Sequence, residues 1–278
     1  MYKIIIDSCG ELSEEMKADG HYENVALTLQ LGQEEIVDDE TFDQADFLKK
    51  VAASHEGPKS ACPSPHAYLE AMECDADHIY VITLSSKLSG SYNSACLARD
   101  MYLEDYPDKK VLVVDSKSAS IGQTLIGLKI AACENAGMEY EEILKVVEQY
   151  VAGQHTFFVL ETLETLRKAG RLSDLKAMIA STLNIKPIMG STDEGSIQQL
   201  AQARGMNKAL DRMVKSMMEV TTDCEKKIVA ISHCNCKERA LQLKEKVEKV
   251  ANFKDIFIVD TAGVSSMYAN DGGVIMVV

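Results

Sequence analysis

The sequence has no tryptophan, only five prolines, and aromatic residues make up just 6% of its 278 positions. So little proline excludes a collagen-like or proline-rich extended chain. No apolar run approaches the roughly 20 residues that cross a bilayer as a helix. The opening "MYKIIIDSCG" is too short an apolar run for a signal peptide and lacks a small-residue cleavage site, so no signal peptide is expected. Familiar chemistry is missing too: there is no G-x-S-x-G elbow, no G-x-x-x-x-G-K-[ST] phosphate loop and no G-x-G-x-x-G fingerprint. No His–acid pair stands ready to activate a serine. A hydrolase or a nucleotide-driven kinase on this chain would need an unusual site. Positive charge is short as well. Against 43 acidic residues stand 29 Lys and Arg, a net charge of −14. That balance disfavours nucleic acid and anionic membrane surfaces over most of the molecule.

What remains is an ordinary globular composition, 46% hydrophobic and 26% charged, long enough for one large or two medium domains. The eight cysteines are scattered rather than framed. They read as reduced thiols and a cytoplasmic protein.

Continuous apolar runs predict strands at 2–7, 24–29, 78–83, 110–115, 156–160, 226–232, 255–260 and 274–278. Unbroken rather than alternating runs favour a parallel sheet covered on both faces. Helical spacing links Ile143, Val147 and Tyr150, then Met206, Ala209 or Leu210, Met213 and Met217, then Ala240, Leu243, Val247 and Val250. Thr41 with Gln44 fits a capping box. Ser64 before Pro65 fits an N-cap and first helical position. Short helical pieces are expected around "LETLRKAGRLSDLKAMIA". "NIKPIMG" and "GSIQQLAQARG", joined by "STDEGS", predict a hairpin. The fold class is therefore α/β. A division near residue 153, without a linker, gives two closely packed domains, 1–153 and 154–278.

The stretch most in need of explanation is "LSSKLSGSYNSA", 84–95, directly after the strand "HIYVIT". It delivers Ser85, Ser86, Ser89, Gly90 and Ser91 to the carboxyl edge of a sheet, where open α/β folds bind ligands. A helix beginning there favours an anion, and Gly90 permits close backbone approach. The competing reading is a serine-rich cap and loop. "KSACPSP", 59–65, is a weaker hydroxyl cluster before a capped helix. Asp7–Ser8, Asp115–Ser116 and Asp260–Thr261 repeat a strand–Asp–hydroxyl pattern. Such carboxylates bind metals or act as bases, but more commonly they make Asx turns and caps. "SHCNC", 233–236 with its preceding serine, lacks the spacing of a zinc site. Arg167, Lys168, Arg171 and Arg204 either meet an anion or form a solvated, salt-paired face.

Taken together, "IIIDS", "SACPS", "SSKLSGSYNSA", "DSKSASIGQ" and "LETLRKAGRLS" resemble, in order and position, the hallmark segments of the DegV family. The resemblance spans nearly the whole chain. The third and fifth segments carry most of its specificity. It implies a two-domain α/β fold binding one long-chain fatty acid in a buried tunnel, with the carboxylate held by small hydroxyls near the domain junction. On that pattern the carboxylate loops belong to 1–153, and 154–278 completes the tunnel. Some family members are the acyl-carrying subunit of a bacterial fatty-acid kinase. The resemblance therefore implies a lipid-binding protein with no catalysis of its own, no metal and no cofactor beyond the bound fatty acid. A kinase catalytic subunit is the partner it brings into view. Carried over, Ser60 takes the place of the loop threonine. Ser89, Gly90 and Ser91 match the S-G-T core, and Tyr268 falls where the family usually has His. Arg171 matches the G-R arginine. Arg204 lies where an arginine often follows the hairpin, and either arginine is a candidate to face the partner or its phosphate. Methionines such as Met178, Met189, Met213 and Met267 either line the tunnel or belong to the core. Two rivals remain: a phosphotransfer or hydrolytic enzyme using Asp7, Asp115 and the serines around a metal, and a regulatory subunit liganded by lipid.

Overall fold

The computed structural model describes residues 1–54, 56–172 and 184–278. Along the chain come β1 (Tyr2–Asp7), α1 (Glu14–Asp19), β2 (Tyr22–Val25), β3 (Thr28–Leu31), β4 (Glu34–Val37), α2 (Gln44–Ala53), β5 (Lys59–Ala61), α3 (Pro65–Met72) and β6 (His78–Thr83). They are followed by α4 (Ser91–Asp105), β7 (Lys110–Asp115), α5 (Ile121–Asn135), α6 (Tyr140–Ala152), β8 (Thr156–Val159) and α7 (Glu164–Lys168). The last are β9 (Ile185–Ser191), β10 (Ile197–Arg204), α8 (Met206–Val220), β11 (Ile228–His233), α9 (Lys237–Glu248), β12 (Asp255–Asp260), α10 (Gly263–Ala269) and β13 (Val274–Val277).

The first sheet is parallel, in the order β2-β1-β6-β7. β1, β6 and β7 are largely apolar because both faces are covered, whereas the edge strand β2 carries Glu23 and Asn24. Ile4 and Ile6 of β1 point into the cluster of Ile126, Ile130, Ile143 and Val147 from α5 and α6. Ile5 points the other way, into Tyr68, Ala95 and Ala98 of α3 and α4. Below Ile6 the close packing of α5 depends on Gly127, where a Cβ would lie 3.0 Å from Ile6 Cδ1.

The second sheet runs β10-β9-β8-β13-β11-β12. Here the expectation of parallel strands needs correction. Only β11 and β12 are parallel, and β13 is antiparallel to both of its neighbours, β8 and β11. Apolar runs report burial of both faces, which this sheet shares, and not strand direction. Val229 and Ile231 face Met213 and Leu243 of α8 and α9, while Ala230 faces Ile121 and Leu125 of α5. Helix α5 thus lies between the two sheets and belongs to both cores.

A third sheet, β4-β3-β5, was not foreseen. The apolar run 24–29 is cut in two at Ala26–Leu27, where the Ser8 hydroxyl accepts from Leu27 N. One piece joins the first sheet as β2 and the other turns away as β3. Segment 59–61, read as loop, pairs with β3, setting Ser60 opposite Leu29. The cap of α2 is also not Thr41 but Asp43, whose carboxylate accepts from Asp46 N at 2.9 Å. Thr41 is occupied in a turn on Asp39. Ser64 caps α3 as expected, and the predicted hairpin is β9–β10. Val250 lies beyond the end of α9 and is 52% exposed. The second helical piece expected after α7 lies outside the described residues, as does Met178.

Candidate functional site

The loop after β6 is shaped by two of the strand-end aspartates. Asp7 is fully buried and accepts from Leu84 N at 2.8 Å, Gln123 Nε2 at 2.8 Å and Cys9 N at 3.3 Å. Burial pushes its carboxyl up to about 6. Asp115 accepts from Ser86 N, Ser86 Oγ and Lys117 N. Both carboxylates are engaged in holding backbone, as Asx-type anchors do. Ser85 reaches across to the β9–β10 turn and donates to Gly195 O at 2.8 Å. So anchored, the loop presents Ser89 and Gly90 at the start of α4. Ser89 Oγ lies 2.9 Å from Ser91 Oγ and accepts from Ser91 N at 3.2 Å. Ser91 itself is wholly buried behind it.

Ser60, on β5, meets Tyr268, on α10, with 3.0 Å between their hydroxyl oxygens. The Tyr268 ring lies 5.9 Å from the Arg171 guanidinium. Arg171 donates from Nε to Leu88 O at 3.1 Å and from Nη1 to Ala169 O at 2.6 Å. Its sequence neighbours behave differently, since Arg167 and Lys168 both pair with Glu164 on the surface.

Ser60, Cys62, Ser89, Gly90, Arg171 and Tyr268 all border one cavity of about 370 Å³. Its walls are apolar, with Leu84, Leu88, Phe158, Leu166, Ile197 and Ile275 among them. Loops that follow β1, β6 and β7 of the first sheet, strands of the second and third sheets, and α10 all contribute. One part of the wall is polar instead. There Ser118 Oγ and Thr156 Oγ1 are 2.6 Å apart, and Ser120 Oγ stands 2.8 Å from each Glu11 oxygen and 2.7 Å from Ser232 Oγ. Burial raises the Glu11 carboxyl to about 7. These hydroxyls satisfy one another, so the wall does not demand a polar ligand.

The cavity thus gathers Ser60, Ser89, Gly90, Arg171 and Tyr268. It does not gather Ser91, which stands one bond behind Ser89, or Arg204, which is exposed at the end of β10. Met189, Met213 and Met267 are packed in the cores and do not border it. His233 is buried, with Nδ1 3.1 Å from Asp260 Oδ1. Among the described residues no group of three or more His, Cys, Asp or Glu is arranged to hold a metal, and no helix is long and apolar enough to cross a membrane. The apolar wall was not legible beforehand, because it is assembled from side chains far apart in sequence.

The sequence model of the DegV family of uncharacterised proteins matches residues 1–277. The chain belongs to the DegV family. A DegV domain-containing protein of Streptococcus pneumoniae is 34% identical over 253 residues, covering 91% of this chain and 89% of that one. Among solved structures, a DegV protein of Ruminococcus gnavus, refined with vaccenic acid, is 51% identical with a TM-score of 0.97, covering 100% of this chain and 99% of that one. The S. pneumoniae fatty acid kinase Fak B3 protein, loaded with linoleic acid, is 32% identical with a TM-score of 0.89, covering 100% and 98%. A DegV protein of Eubacterium eligens, loaded with heptadecanoic acid, is 28% identical with a TM-score of 0.90, covering 100% and 99%.

Proposed function

We propose that this DegV protein binds one long-chain fatty acid in the cavity, with its carboxylate among Ser60, Ser89, Gly90, Tyr268 and Arg171. The observation that carries the reading is the cavity itself, largely apolar along its walls, with Ser60, Ser89, Tyr268 and Arg171 at its border and a second polar wall whose hydroxyls are already engaged. Burial of the tail supplies affinity at ~0.8 kcal/mol per methylene. The hydroxyls orient the head group and keep its charge from being buried unpaired. Ser91 acts through Ser89 rather than on the ligand. The fatty acids carried by the R. gnavus and S. pneumoniae relatives support this assignment.

In this reading the protein carries its lipid without transforming it, in the cytoplasm, where its eight free thiols stay reduced. Residues 1–153 supply the carboxylate loops and 154–278 close the tunnel. The relation to Fak B3 favours a second step, in which a kinase catalytic subunit docks over the mouth and phosphorylates the bound carboxylate. Arg171 at the mouth and Arg204 outside it are the candidate contacts for that partner. The use of Asp7 and Asp115 as catalytic bases is disfavoured by their engagement with backbone donors.

Native mass spectrometry of the purified protein, followed by lipid extraction, tests the assignment. One fatty acid per chain supports it. A bare protein that also refuses added oleate and palmitate overturns it.

A further inference from the structure

Helix α10 carries Tyr268, and its position is fixed by a residue from the far side of the small sheet. Asp38 follows β4 and is 3% exposed. Its Oδ1 accepts from Gly263 N at 2.6 Å, and its Oδ2 accepts from Val264 N at 2.9 Å and from Ser8 Oγ at 2.9 Å. The first turn of α10 therefore ends on this carboxylate. The fit leaves no room, since a Cβ on Gly263 would lie 2.5 Å from Asp38 Oδ1. Gln44, at the start of α2, secures the approach by donating to Thr261 O at 2.9 Å and Ser266 Oγ at 3.1 Å.

These bonds close a circuit. Strand β3 pairs with β4, which leads to Asp38, and with β5, which bears Ser60. Asp38 holds one end of α10, and Tyr268 near the other end returns to Ser60. The neighbouring residues Asp7 and Ser8 serve both sides of the mouth. Asp7 holds the Ser89 loop through Leu84 N, and Ser8 holds Asp38.

We infer that Asp38 is a positioning residue for the head-group site, setting Tyr268 against Ser60 without touching the ligand. The inference rests on the fatty-acid reading for its effect on binding, but its geometric content stands apart from it. The alternative is a carboxylate that only stabilises the fold.

The test is a double-mutant cycle with oleate as ligand, using wild type, Asp38→Asn, Tyr268→Phe and the double variant. Asp38→Asn is expected to weaken oleate about 10-fold in the wild-type background and less than about 2-fold when Tyr268 is already Phe. With 1-¹³C-oleate, the bound carboxyl resonance should move in the same direction in Asp38→Asn as in Tyr268→Phe. Additive losses with an unmoved resonance overturn the inference and leave a purely structural role. Should Asp38→Asn fold poorly, Ser8→Ala removes one bond to Asp38 and is read the same way. A crystal structure of either variant gives a readout independent of lipid. Separation of Tyr268 from Ser60 supports the inference, and an unchanged contact overturns it. Wild type that takes up no oleate refutes the fatty-acid assignment alone.

Discussion

Ser60 and Tyr268 are 208 residues apart in sequence and 3.0 Å apart at their hydroxyl oxygens. Their bond joins the small sheet to α10 and borders the cavity. Tyr268→His places a titrating ring there. Oleate affinity of that variant should rise as pH falls through about 6.5, since an imidazolium attracts a carboxylate. Calorimetry at pH 5.5 and 8 checks it, and a pH-independent difference from wild type counts against Tyr268 facing the head group.

Ser89→Ala removes a hydroxyl that borders the cavity, and Ser91→Ala removes the one behind it. Ser89→Ala should weaken oleate by ~1–3 kcal/mol through a poorly satisfied carboxylate. Ser91→Ala should cost less, because Ser89 keeps its own place. Equal affinity of Ser89→Ala and wild type, with the melting temperature unchanged, removes Ser89 from the head-group site.

Cys62 is exposed, borders the cavity, and approaches the site of a Gly90 Cβ within 3.1 Å. A bound head group should shield it. Alkylation by iodoacetamide, read by peptide mass spectrometry, is expected to slow several-fold when oleate is added. Cys9, Cys133 and Cys234 are buried and should react slowly with or without lipid.

Gly195 sits at φ +88° in the β9–β10 turn, where a Cβ would lie 2.3 Å from Ser85 Oγ and 2.8 Å from Lys117 Cα. Gly195→Ala suffers both backbone strain and collision, and should cost roughly 2–4 kcal/mol. Urea denaturation measures it. Loss of less than half a unit on that scale would show that the turn does not seat on the first sheet's loops.

Glu11 gives a pH signature. Its folded carboxyl titrates at about 7 against an ordinary 4.5, through burial. The folded state therefore holds that proton more tightly than the unfolded chain. The stabilisation is complete below pH 4.5 and is lost as pH rises through about 7. The full swing is about 3 kcal/mol. Asp7 and Asp38, both raised to about 6, act with the same sign. Thermal melts of wild type should decline across this window, and Glu11→Gln should flatten part of that decline.

Much of the frame was legible. The β1, β6, β7 and β12 spans follow from continuous apolar runs, and the serine loop was found by its place at a strand end. Strand β5 was missed because three residues, "KSA", carry no periodicity. Asp38 was missed for another reason. Its partners Gly263 and Val264 lie 225 and 226 residues away, and nothing local marks an aspartate that caps a distant helix. The antiparallel insertion of β13 was hidden likewise, since strand order is a property of the packed sheet.

That insertion bears on how the molecule is made. Strand β13 fills the gap between β8 and β11 in the second sheet. The first sheet is complete once residue 115 has left the ribosome, but the second stays open at its centre until residue 277 emerges. Val264, Ser265, Tyr268 and Ile275, which border the cavity, belong to the segment that ends with β13. The cavity therefore cannot close before the segment carrying Val264 to Val277 has joined the sheets formed earlier, so its wall depends on contacts of long sequence separation.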